Sequence, residues 1–83
     1  MSKIKYTIKQ VEQLTELPQS ALRFYERRFR DWLKVERSPG GQRAYSEDNV
    51  KKIMKLKMLI KEKGVTIRGT RIKLGLSERL KDE

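Results

Sequence analysis

The 83 residues contain no cysteine and no histidine. Without cysteine neither a disulfide framework nor a thiolate metal site can form. With both types missing, the usual Zn, Cu and Fe ligand sets are gone, and so are Ser-His, Cys-His and thiolate catalysis. Acidic side chains are also few, with 11 Asp and Glu scattered among 21 Lys and Arg and no paired acidic motif to supply a general acid and base. An enzyme, a bound metal and a cofactor are therefore not expected. No run approaches the ~20 apolar residues of a transmembrane helix, and the start "MSKIKYT" lacks the apolar stretch of a signal peptide. A cytoplasmic chain that does not enter a membrane is the expectation.

Positive charge is what the chain has in quantity. A net charge of +10 attracts polyanions, phosphate backbones before anionic lipid or acidic proteins. At this length the chain makes one small domain, able to bury about 60 to 65% of its unfolded surface. Its 36% hydrophobic residues suffice for a modest core.

The first periodic segment is "TIKQVEQL". Thr7 and Gln10 match a capping box, and Ile8, Val11 and Leu14 form an apolar stripe, which predicts a helix from about Ile8 to Leu14. Pro18 in "TELPQS" turns the chain and opens a second helix near Gln19. There Leu22, Tyr25 and Phe29 share one face, while Gln19, Arg23, Arg27 and Arg30 share the other. Helix, short turn, helix with an arginine-bearing outer face is the helix-turn-helix arrangement; an ordinary charged surface helix has the same pattern in the second segment alone.

The helical period breaks in "DWLKVERSPGGQRAYS". Leu33 and Val35, then Ala44 and Tyr45, flank Pro39, Gly40 and Gly41, which predicts a two-stranded hairpin with Trp32 packed beneath it. Glycine at Gly40 and Gly41 permits positive φ and a tip without side chains, whose backbone N–H groups can approach a phosphate. Arg43 is placed to reach a phosphate or a minor groove, and Tyr45 to pack its ring inward with its hydroxyl on the nucleic-acid backbone. A plain surface hairpin has the same local pattern. Ser46, Glu47 and Asp48 then start a long helix ending at Gly64, with Val50, Ile53, Leu56, Leu59 and Ile60 inward. Thr66 caps a shorter helix through about Leu74. The predicted fold is mainly α with a small β-hairpin wing: a winged helix-turn-helix plus a second helical pair over residues 1–75, and a tail over residues 76–83.

"YTIKQVEQLTELPQSALRFYERRF", "GGQRAYSEDNVKKI" and "KGVTIRGTRIKL" together resemble the N-terminal DNA-binding domain of the MerR family of bacterial transcriptional regulators, from Tyr6 to about Leu74. The resemblance implies double-stranded DNA as partner, with the helix over residues 19–29 in the major groove and the wing over residues 34–45 on the flanking backbone. It implies that Arg23 contacts groove and backbone, that Tyr25 and Arg43 grip phosphates, and that Arg37 touches the backbone. Gln42 takes a wing-tip position, and Ser20 a variable one suited to sequence discrimination.

Pro18 stands where relatives carry a polar cap, and the first wing strand lacks their proline. Relatives also continue into a long dimerisation helix and an effector domain. Residues 76–83 are therefore expected to begin such a helix or to fray, and two copies to share a pseudopalindromic site. Free in solution, these residues alone are expected to be monomeric and to bind a half-site weakly. An excisionase-like or nucleoid-type architectural protein and an adaptor for an acidic protein surface are the alternative readings.

Overall fold

A computed structural model describes residues 4–78. Strand β1 is Lys5–Tyr6, and helix α1, Ile8–Thr15, follows at once. Thr7 forms the expected capping box: its hydroxyl accepts from Gln10 N at 3.1 Å, and its own N–H donates to Gln10 Oε1 at 2.9 Å. Glu16, in the left-handed region at φ 60°, ends the helix. The expected inward stripe fails at one position. Leu14 is half exposed, and Thr15 is buried in its stead. Thr15 tolerates burial because its hydroxyl donates to Val11 O at 2.7 Å, satisfying itself on its own helix.

Helix α2 spans Gln19–Arg28. Pro18 holds the N-cap position without a side-chain cap, and its carbonyl accepts from Ala21 and Leu22. A proline there loses nothing, since its missing N–H would have had no helical partner. Leu22, Tyr25 and Phe29 are buried as expected. Phe29 leaves helical geometry at φ −127°, and a single turn, α3 (Arg30–Leu33), follows. Leu33 therefore belongs to a helix rather than to the first wing strand. Lys34, at φ 53°, then reverses the chain.

Strands β2 (Glu36–Arg37) and β3 (Arg43–Ser46) form the wing. The sheet has three strands rather than two, in the order β1-β3-β2, both pairings antiparallel. Tyr6 stands opposite Tyr45, and Arg37 opposite Arg43. The N-terminal strand thus covers the free side of β3.

Ser46 and Asn49 form a second capping box at the start of α4, Glu47–Leu56. Asn49 is itself buried, because its side-chain amide donates to Leu33 O at 2.6 Å and ties α3 to α4. The expected single helix to Gly64 changes character beyond Leu56: residues Lys57–Glu62 are π-helical, and Lys63 N donates five residues back to Met58 O. Gly64, at φ 69°, ends it as expected. Thr66 caps α5, Ile67–Lys73, by accepting from Gly69 N.

Val11, Leu17, Leu22, Tyr25, Phe29, Leu33, Tyr45, Ile53 and Leu56 form one core drawn from α1 to α4 and β3. Arg71 is buried beside it at 1% exposure. Its guanidinium forms a bidentate pair with Asp31 at 2.7 and 3.0 Å and donates to Arg28 O and Ser77 O, lying 5.9 Å from the Phe29 ring centroid. The pair holds the Asp31 carboxyl below its usual value. α5 is thereby fastened to the end of α2. Leu76 also packs against the core, so residues 76 and 77 are docked on the domain. The rest of the expected tail, residues 79–83, lies outside the described residues.

Candidate nucleic-acid interface

The outward face of α2 follows from the burial of its other side. With Leu22, Tyr25 and Phe29 inward, the 3.6-residue period turns Ser20, Arg23 and Arg27 to solvent, and all three are exposed. Arg23 has no hydrogen-bond or ion-pair partner among the described residues. The Arg27 guanidinium carbon lies 5.5 Å from the Phe24 ring centroid, a cation–π contact that steadies the charged head on the exposed face. Gln19 is half-buried and donates to Glu12 Oε1 at 3.2 Å, so it braces α2 against α1.

The wing tip is built from its own backbone. Ser38 N donates to Gln42 O at 2.7 Å, Gly41 N to Ser38 O at 2.8 Å, and Gln42 N to the Ser38 hydroxyl at 3.3 Å. Of the two tip glycines only Gly41 takes a positive φ, 84°, where a side chain would be strained; Gly40 does not use that freedom. The same bonds correct the idea of free tip amides: the N–H groups of Gly41 and Gln42 are engaged inside the turn. Arg37 reaches back to Gly41 O at 3.3 Å, and Gln42 is exposed at the tip.

Between α2 and the wing lies an open cleft of about 400 Å³ lined by Arg23, Glu26, Arg27, Arg30, Arg37 and Arg43. Five cations, from α2 (Arg23, Arg27), α3 (Arg30) and the two wing strands (Arg37, Arg43), thus surround one carboxylate. Arg43 donates through Nε to Glu26, and Arg37 Nη2 lies 3.9 Å from the same carboxylate. A neighbouring cleft, lined by Thr7, Lys9, Arg37, Gly41, Gln42 and Arg43, extends the basic surface to the start of α1.

Tyr25 and Tyr45 are not on this surface. Both rings are in the core, and both hydroxyls are buried with no partner among the described residues. Burial raises the Tyr25 hydroxyl above its usual value. Burial, reinforced by the charge of Glu26, pushes Tyr45 up to about 12, against the opposing pull of Arg43, Arg37 and Arg23. A tyrosine raised in the folded state contributes stability that is full below the unfolded value of 10.0 and declines as pH rises from there through about 12. Tyr45→Phe should remove that alkaline loss and, since the hydroxyl has no partner to lose, leave stability at neutral pH unchanged or slightly higher. Unfolding midpoints of both proteins across the alkaline range check this. If Tyr45→Phe also weakens DNA binding, the hydroxyl reaches the ligand after all.

The sequence pattern by itself does not single out Glu26. Its position three residues after Arg23 is the available signal, since that spacing shares a helix face. Lys9 joins the surface only because the folded chain brings α1 beside the wing, and no local pattern marks it.

The family model described as MerR HTH family regulatory protein matches residues 6–75. The chain belongs to the MerR HTH family. A search of curated proteins finds no match. The MerR family is one of DNA-binding regulators, and the helix-turn-helix of α1 and α2, the β2–β3 wing and the α4–α5 pair of this MerR domain fit its winged helix-turn-helix class. Among the described residues no group of acidic side chains could hold a metal ion, and no helix is long and apolar enough to cross a membrane.

Proposed function

We propose that this MerR domain binds double-stranded DNA with sequence specificity as part of a transcriptional regulator. In this reading residues 19–29 enter the major groove and residues 34–45 lie along the flanking backbone. The arginine-lined cleft between α2 and the wing carries the proposal: cations from the helices and from both wing strands converge on one opening, and Arg23 there has no partner among the described residues. Ser20 and Arg23 are the base-reading positions. Arg27, Arg37, Gln42 and Arg43 hold the backbone, while Gly41 shapes the wing tip and Gln19, Tyr25 and Tyr45 support them from within the fold. Two copies on a pseudopalindrome would place two such helices in successive major grooves.

Selection of bound duplexes from a random pool tests this directly. Recovery of a palindrome with fixed spacing supports the regulator, whereas a diffuse A·T preference moves the domain to an architectural role. Within the selected site, Arg23→Ala should remove about 1 to 3 kcal/mol of discrimination at particular bases, and Arg43→Ala should weaken all sequences alike. Competition between selected and scrambled duplexes separates the two effects. Equal, sequence-independent losses would make Arg23 a second backbone contact.

A further inference from the structure

A carboxylate on a surface that meets DNA ordinarily weakens binding, because it repels phosphates. Glu26 sits on such a surface, on the same face of α2 as Arg23, and looks across the cleft at Arg37 and Arg43. Its side chain is only 18% exposed. One oxygen accepts from Arg43 Nε, and the other is 3.9 Å from Arg37 Nη2. The bond to Arg43 uses the Nε edge and leaves its two terminal nitrogens without a partner among the described residues. Tyr45 anchors the end of β3 in the core, but no residue from Glu36 to Ala44 belongs to the buried core, and β2 is two residues long.

We propose that Glu26 is a positioning residue, holding Arg43 and Arg37 so that the wing keeps a fixed distance from the recognition helix and the terminal nitrogens of Arg43 stay available to a phosphate. This rests on the DNA-binding reading above. A single negative charge thereby strengthens binding to a polyanion, because it orders two cations on a hairpin that the core holds only at its Tyr45 end before the ligand arrives. The opposite sign would follow if Glu26 only tuned the net charge of the face.

Two variants separate the roles. Glu26→Gln removes the charge but keeps an amide oxygen able to accept from Arg43 Nε; Glu26→Ala removes both. Binding is measured against a duplex selected from a random pool and against a mixed-sequence duplex, with amide hydrogen exchange over residues 36–44 followed in the free proteins. Glu26→Ala should weaken binding to the selected duplex about tenfold, although it adds a unit of positive charge, and should speed exchange in the wing. Glu26→Gln should retain slow exchange and bind at least as tightly as the unaltered protein. Tighter binding by Glu26→Ala, or wing exchange that it leaves unchanged, would overturn the proposal. If the unaltered protein binds neither duplex, the DNA reading fails; faster wing exchange in Glu26→Ala, rescued in Glu26→Gln, would still establish that Glu26 positions the wing.

Discussion

Asp31→Ala will destabilise this domain more than Arg71→Met, even though Asp31 is the more exposed partner of the pair. Arg71 is at 1% side-chain exposure and Asp31 at 38%. Removing the carboxylate strands a buried guanidinium whose charge has lost its nearest counter-ion, a change that costs about 3 to 5 kcal/mol. Removing the guanidinium leaves a carboxylate that water can reach, and methionine refills much of the space. The remaining loss is the hydrogen bonds to Asp31, Arg28 O and Ser77 O, about 2 to 3 kcal/mol. A domain of this length has a total stability of roughly 4 to 12 kcal/mol, so either change is a large fraction.

Urea unfolding of the two single variants and the double variant measures the effect, and the double variant should recover part of the Asp31→Ala loss. A larger loss for Arg71→Met would show that the carbonyl contacts, not the ion pair, dominate. The pair also predicts acid sensitivity. Asp31 is lowered in the folded state, so its contribution is present above the unfolded value of 3.8 and is lost as pH falls through the depressed one. Arg71→Met should abolish that component.

The second large effect is on DNA binding. If about five to seven cations of the α2 and wing surfaces neutralise phosphates, log K against log[salt] should fall with a slope of roughly −5 to −6. Affinity should then drop by about 10³ to 10⁴ between 50 and 200 mM salt. Arg23, Arg27, Arg30, Arg37 and Arg43 line one cleft and Lys9 its neighbour, so the count is within reach of a single contiguous surface. Titration of one duplex at four or five salt concentrations gives the slope. A value near zero would remove the electrostatic basis for reading the +10 charge as a footprint for DNA.

Arg43→Ala should reduce the magnitude of that slope by about one, as expected for the loss of one phosphate contact. Glu26→Ala should leave it nearly unchanged while lowering affinity at every salt concentration, because both wing arginines remain but are no longer ordered. The two variants thus separate the number of contacts from their arrangement.

Most elements of this domain are set by local rules that the sequence displays. Thr7 with Gln10, Ser46, and Thr66 announce helix starts because a cap acts over three residues of the same chain. Leu22, Tyr25 and Phe29 declare the inward face of α2 for a related reason: a helix repeats every 3.6 residues wherever it occurs. The glycine turn of the wing is legible too, since Gly41 needs a backbone conformation that few other residues accept. The outer arginines of α2 follow from the same helical period.

What those rules cannot reach depends on partners distant in the chain. Lys5–Tyr6 is too short to show an alternation and is a strand only because β3 lies beside it. Leu33 ends α3, and the group that satisfies its carbonyl, the Asn49 amide, lies 16 residues on. Arg71 reads as one more surface cation until Asp31, 40 residues earlier, closes over it. Tyr25 and Tyr45 have hydroxyls that suit a phosphate, yet packing sends both inward, and Glu26 meets Arg43 across 17 residues of intervening chain. Periodicity and capping encode which side of an element is apolar and where it begins. They carry no information on which charged groups meet once the elements pack, because that pairing is set by the geometry of the shared core.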